Sequence, residues 1–183
     1  NTKDGLKIIN VTSKTVIGSF VGIGVVGRPV VDSSDVIYVF DKDGKVNALS
    51  ANNKLWTTEI AINGSTLALD EENSALYTVG SDGNVYKIDI FNKGAASVFY
   101  NLGGNASSIM IDNDGTVYIG SDNGKVSAIN SEAKLLWTFA AESPIKGPIV
   151  MDKNGTVYVY SSKTVYAVGM GKITPAIDVN AED

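Results

Sequence analysis

A repeat near forty residues, a turn dipeptide recurring at one phase of it, and short alternating apolar runs with no sustained helical period predict an all-β chain, a β-propeller of four-stranded antiparallel blades. The phase is set by DGLKIIN, DGKVNALS, DGNVYKID and NGKVSAIN, whose glycines, Gly5, Gly44, Gly83 and Gly124, stand 39, 39 and 41 residues apart. Asp-Gly and Asn-Gly supply the φ > 0 conformation that short hairpin loops require, so each marks the turn from a blade's second strand to its third.

The remaining strands fall around that turn. First strands are read in PVVD from Pro29, TLALD from Thr66, SIMID from Ser108 and PIVMD from Pro148. Second strands are DVIYVF, ALYTVG, TVYIGS and TVYVYS, and fourth strands include KLW from Lys54 and LLWTF from Leu135. A fifth copy, SSKTVYAV, keeps the strand pattern around Lys163 without the Asp-Gly turn. The division is a partial blade at 4–21, repeats at 27–62, 63–102 and 103–141, a partial blade at 142–168 and a polar tail at 169–183 ending in Asn180-Ala181-Glu182-Asp183. The first blade holds only its third and fourth strands, near Leu6–Asn10 and Thr15–Val21. The last holds three, at Pro148–Met151, Thr156–Tyr160 and Thr164–Val168. Seventeen strands make about four blades with one strand left over, so the expectation is part of a larger propeller whose bare edges associate with another copy or with the remaining blades.

Composition narrows the chemistry. At 183 residues one domain suffices, with 44% hydrophobic and 19% charged residues as in an ordinary globular chain. Histidine and cysteine are absent, which excludes imidazole general bases, thiolate nucleophiles and zinc sites of the usual kind. A net charge of −5, with Arg28 the single arginine, leaves no basic stripe for nucleic acid. No apolar run approaches the roughly 18 residues of a membrane span, and NTKDGLKIIN lacks the apolar centre of a signal peptide.

The aspartates could be turns or metal ligands. DNDGTVYIGSDN from Asp112 is one spacing short of a calcium-binding helix–loop–helix pattern and ends in Asn123 where glutamate is needed. Turn chemistry is expected, because Asp and Asn side chains bond nearby backbone N–H groups. No cofactor is expected; the alternative is calcium at Asp41-Lys42-Asp43-Gly44, Asp112-Asn113-Asp114-Gly115 or Asp152-Lys153-Asn154-Gly155. Tyr38, Tyr77, Tyr118 and Tyr158 recur in second strands as packing residues. Loops from fourth to first strands share a face with those from second to third, which makes Arg28, Asn63, the segment 101–105 and Glu142 to Lys146, beside Asp41, Asp82 and Asp122, the candidate binding face.

GRPVVDSSDVIYVFDKDGKVNALS and KGPIVMDKNGTVYVYSSKTVYAV resemble the repeats of pyrroloquinoline-quinone-type (PQQ-like) propellers, a family that includes quinoprotein dehydrogenases and the propeller lipoprotein of the outer-membrane assembly machinery. The resemblance runs over 4–168. Its tryptophan-docking motif is matched by Ala128, Asn130, Lys134 and Trp137, with the glycine missing and one residue fewer, and more briefly from Ala48 through Lys54 to Trp56. The first copy offers Ile17 in that place and a later one Phe99. By resemblance, Trp56 and Trp137 dock between blades rather than stack on a ligand. Quinone sites of the family use an adjacent cysteine pair, which this chain lacks. The resemblance therefore implies a non-enzymatic binding or scaffold module of a bacterial cell-envelope or secreted protein, extracellular, on the cell surface or in the periplasm, with a protein or glycan partner. The alternatives are a quinone-dependent or polysaccharide-acting propeller enzyme and the sensor domain of a larger signalling protein.

Overall fold

The computed structural model describes residues 5–51, 53–64, 66–162, 164–169 and 174–178. The expectations that fall on Asp4, Lys163, 170–173 and 179–183 lie outside them. The described residues form eighteen strands in five antiparallel sheets and no helix. They divide into two compact units, Asn1–Ser81 with Val85–Val98, and Asp82–Asn84 with Phe99–Asp183.

In the first unit β1 (Gly5–Asn10) and β2 (Thr15–Val21) form a two-stranded sheet. A four-stranded sheet follows in chain order, β3 (Val26–Val31), β4 (Ile37–Phe40), β5 (Val46–Ser50) and β6 (Asn53–Thr57). The next sheet, β7 (Ala68–Asp70), β8 (Ala75–Val79), β9 (Asn84–Asp89) and β10 (Ala95–Asn101), belongs to this unit except at the ends of β9 and β10. The second unit contains β11 (Ala106–Ile111), β12 (Val117–Ser121), β13 (Lys125–Ile129) and β14 (Leu135–Ala140), then β15 (Val150–Met151), β16 (Val157–Ser161), β17 (Thr164–Val168) and β18 (Thr174–Asp178). Each four-stranded sheet is an up-and-down meander, the unit of a propeller blade.

Second strands explain why the sequence alternates poorly. All five residues of β8 and of β12 are buried, so these strands are packed on both faces and need apolar or small residues at every position. The core of the first unit joins Tyr38, Phe40, Val46 and Ala48 of one blade to Ile62, Leu67, Leu76 and Ile88 of the next. That of the second joins Tyr118, Val126 and Ala128 to Ile145, Ile149, Val157, Val159 and Val168. The two cores repeat the same positions one blade pair apart. At about 25 cal/mol per Å² of apolar surface, this inter-blade burial is the main driving force of the fold.

The structure corrects the sequence reading in two places. The segment at 169–183 is not wholly a tail: Thr174–Asp178 is a fourth strand, paired antiparallel to β17 with Val165 opposite Ile177 and Tyr166 opposite Pro175. Proline is tolerated there because β18 is the edge of its sheet. The total is thus eighteen strands rather than seventeen. Arg28 is not in an inter-blade loop but inside β3, where Val26 pairs with Phe40 and Val30 with Tyr38, so Gly27, Arg28 and Pro29 form an irregular, bulged stretch. The turn after a second strand takes φ > 0 at its glycine as the sequence predicts, at Gly44 with φ 76°, and Ser162 with φ 51° supplies that conformation in the copy without an Asp-Gly pair.

Candidate binding site beside the aspartate turns

One turn design recurs at the ends of strands. At Asp32, Asp112 and Asp152 the backbone N–H donates to the carbonyl four residues on, at Val36, Thr116 and Thr156. The residue three further on donates back to the aspartate carbonyl from a left-handed conformation, Asp35, Gly115 or Gly155. The aspartate side chain then closes the loop. Its Oδ1 accepts from the N–H groups two and four residues on, Ser34 and Val36, Asp114 and Thr116, or Asn154 and Thr156. Its Oδ2 accepts from a tyrosine hydroxyl six residues on, Tyr38 at 2.8 Å, Tyr118 at 2.8 Å and Tyr158 at 3.3 Å. Burial, with the neighbouring carboxylate, pushes the Tyr38 and Tyr118 phenols well above their usual range, and at Tyr158 the charge of Asp152 is the larger cause. Conversely, the N–H groups of Thr156 and Asn154 and the Tyr158 hydroxyl hold the Asp152 carboxyl below its usual value. These carboxylates are spent on the backbone, and among the described residues no three Asp or Glu groups converge on a common point.

The same accounting applies elsewhere. Asp41 Oδ1 accepts from Asp43 and Lys45 N–H and its Oδ2 from Asn47. Asp82 is bonded twice by Asn84, and Asp122 accepts from Asn105 at 3.1 Å. Lys146 follows β14 and donates its N–H to Tyr160. Of the five candidate binding-face residues, Arg28 and Asp41 belong to the first unit and Asp82, Asp122 and Lys146 to the second. Arg28 and Lys146 are exposed, with no side-chain partner among the described residues.

The tryptophans lie on fourth strands, half-buried. The Trp56 ring is 5.8 Å from that of Tyr38 and covers Gly94 of the next blade so closely that a Cβ there would come within 2.5 Å of Trp56 Cε3. Trp137 stands 5.9 Å from Tyr118 and packs against the second unit's core, while its neighbour Phe139 meets Tyr166 of the next blade at 5.1 Å.

One concavity among the described residues was not found by sequence reading. An open cleft of about 1200 Å³ lies in the second unit, between the turns Asp112–Gly115 and Asp152–Gly155, over Trp137, Phe139, Met110 and Met151. It sits at the turns joining first to second strands, not at the loops read as the binding face. A mixed apolar and polar wall of this kind is the usual make-up of a binding site.

Residues 101–172 match the family described as the outer membrane protein assembly factor BamB. No curated protein matches the chain. Among solved structures, BamB from Moraxella catarrhalis aligns over 85% of this chain with a TM-score of 0.66 at 19% sequence identity. The chain spans 50% of that protein's length. At such identity the likeness speaks to fold, and the fold is a β-propeller; the resemblance to PQQ-like repeats read over 4–168 is met by the family match at residues 101–172.

Proposed function

We propose that the chain is a non-enzymatic protein-binding module of a bacterial cell envelope, at the cell surface or in the periplasm. The observation that supports this best is the match of residues 101–172 to an outer-membrane protein assembly factor. The local chemistry agrees with it. Asp32, Asp41, Asp112 and Asp152, the acids an enzyme would draw on, are engaged by turn N–H groups, which suits a rigid display of surface better than proton transfer. The partner is a protein rather than a glycan, and Arg28 and Lys146, exposed and without a side-chain partner among the described residues, are charges available to meet it.

The test is site-specific photocross-linking of the full-length protein in its own cells, with the photoreactive residue at exposed Asn63 in one protein and Leu136 in another. The expected result is a discrete cross-link to an envelope protein that then binds the purified chain directly. Absorbance of a bound quinone, or hydrolysis of a polysaccharide by the purified protein, would replace this reading with the enzyme alternative.

A further inference from the structure

Each unit sets a turn of this design, at Asp32 or Asp112, beside the turn that ends the next blade's first strand, at Asp70 or Asp152; the Asp70 turn, with Ala75 opposite Asp70, is one residue longer than the Asp152 turn. In the turn design above, the capping aspartate leaves the N–H of the very next residue unused. In the first unit that group is Ser33 N–H, and it donates to Glu71 Oε1 of the adjacent blade at 2.7 Å. Glu71 follows Asp70 at the end of the next blade's first strand, so the two turns are tied together.

In the second unit Asn113 occupies the place of Ser33, and Lys153, following Asp152, that of Glu71. Lysine has three donors and no acceptor, so it cannot make the same bond. Neither Asn113 N–H nor the Lys153 ammonium has a partner among the described residues, and the open cleft lies between them. Its floor is apolar and partly bare: Leu136 is 53% exposed beside Trp137, Phe139, Met110 and Met151.

We propose that this cleft takes a single acidic side chain of a protein partner, its carboxylate lying where Glu71 lies in the first unit. This rests on the reading of the chain as a protein-binding module. One carboxylate oxygen accepts from Asn113 N–H and the other pairs with Lys153, a charge-assisted arrangement. An exposed ion pair contributes little alone, so most of the affinity comes from apolar residues flanking the acid and settling on Leu136 and Trp137. Asp112, Asp114 and Asp152 on the same rim, against Lys153, repel a run of acids, so the motif is one Glu or Asp between apolar neighbours.

The probes are Ac-Leu-Glu-Phe-NH2 and its Gln and Lys counterparts, titrated into the ¹⁵N-labelled chain. The Glu peptide is expected to shift the Asn113 amide and the Trp137 indole N–H, with the Gln peptide about five-fold weaker. Lys153→Glu, which supplies the chain's own acceptor, should abolish these shifts and slow hydrogen exchange at Asn113 while leaving the rest of the spectrum in place. Equal binding of the Glu and Gln peptides, stronger binding of the Lys peptide, or no response at Asn113 overturns the proposal. If the Lys153→Glu protein keeps every envelope cross-link of the parent, the module reading survives and the cleft is not its contact.

Discussion

At Asp112 one carboxylate oxygen gathers two backbone N–H groups and the other takes the Tyr118 hydroxyl, so a single residue fixes a turn and orients a core ring. Replacing Tyr118 by phenylalanine removes one charge-assisted bond and should cost about 1–2 kcal/mol in urea denaturation, and Asp112→Ala about 2–3 kcal/mol because three donors lose their acceptor. A loss below about 0.5 kcal/mol for Asp112→Ala would show that the turn holds without its clamp. Because the oxygens are already engaged, calcium or a chelator is expected to leave the melting temperature unchanged, whereas a true site at a hundred times its dissociation constant would add about 2.7 kcal/mol. The depressed carboxyls define the acid limb. Asp152, held down by Thr156 and Asn154 N–H, and Asp89, held down by Asn92, bind protons more readily unfolded than folded. Their contribution is therefore present above the ordinary value of 3.8 and is lost as pH falls through the lower folded values. Urea midpoints measured between about pH 6 and pH 2.5 should fall on this limb, and Asp152→Asn should make the fall shallower.

Among elements, the fourth strand decides how blades meet. Trp56 covers Gly94, which has φ 83° and no space for a Cβ, so ring and glycine form one contact across two blades. Gly94→Ala should cost about 1–3 kcal/mol from backbone strain and displacement of the ring. In a Trp56→Ala background the steric part of that cost disappears, so the double substitution should be less destabilising than the sum of the singles. Strict additivity would mean that ring and glycine act independently. Both tryptophans were legible from their spacing after Ala48 and Ala128, and the turns from Asp-x-[DN]-Gly, because those signals are local. The fourth strand at Thr174–Asp178 was not, since Pro175 and the lack of an Asp-Gly or tryptophan marker hide an edge strand that only its pairing with β17 defines. The bridge from Ser33 to Glu71, and its loss at Asn113 and Lys153, was equally hidden: it joins residues 38 apart whose identities mean nothing until two turns are placed side by side.

At the scale of the whole molecule, the repeat leaves one sheet unlike the others. β1 occupies the phase of a third strand, a position at which Val46, Val85 and Val126 are each 0% exposed in the other repeats. Here only β2 pairs with it among the described residues, and Ile9 is 56% and Val11 85% exposed, with Val16, Ile17 and Val21 at 54%, 46% and 60% on the hairpin's other strand. An apolar two-stranded ribbon with an unpaired edge is marginal in water and a template for further pairing. Residues 1–183 as a purified chain should therefore self-associate with rising concentration, with increased hydrogen-exchange protection confined to Leu6–Asn10 in the associated form. Lysine at Ile9 and Val16 places charge on that ribbon and should return the chain to a monomer in sedimentation velocity without lowering the stability of either core, because neither residue belongs to the two inter-blade clusters. A parent chain that stays monomeric at high concentration, with the amides of β1 already protected, would show that the ribbon's edge is satisfied within the molecule.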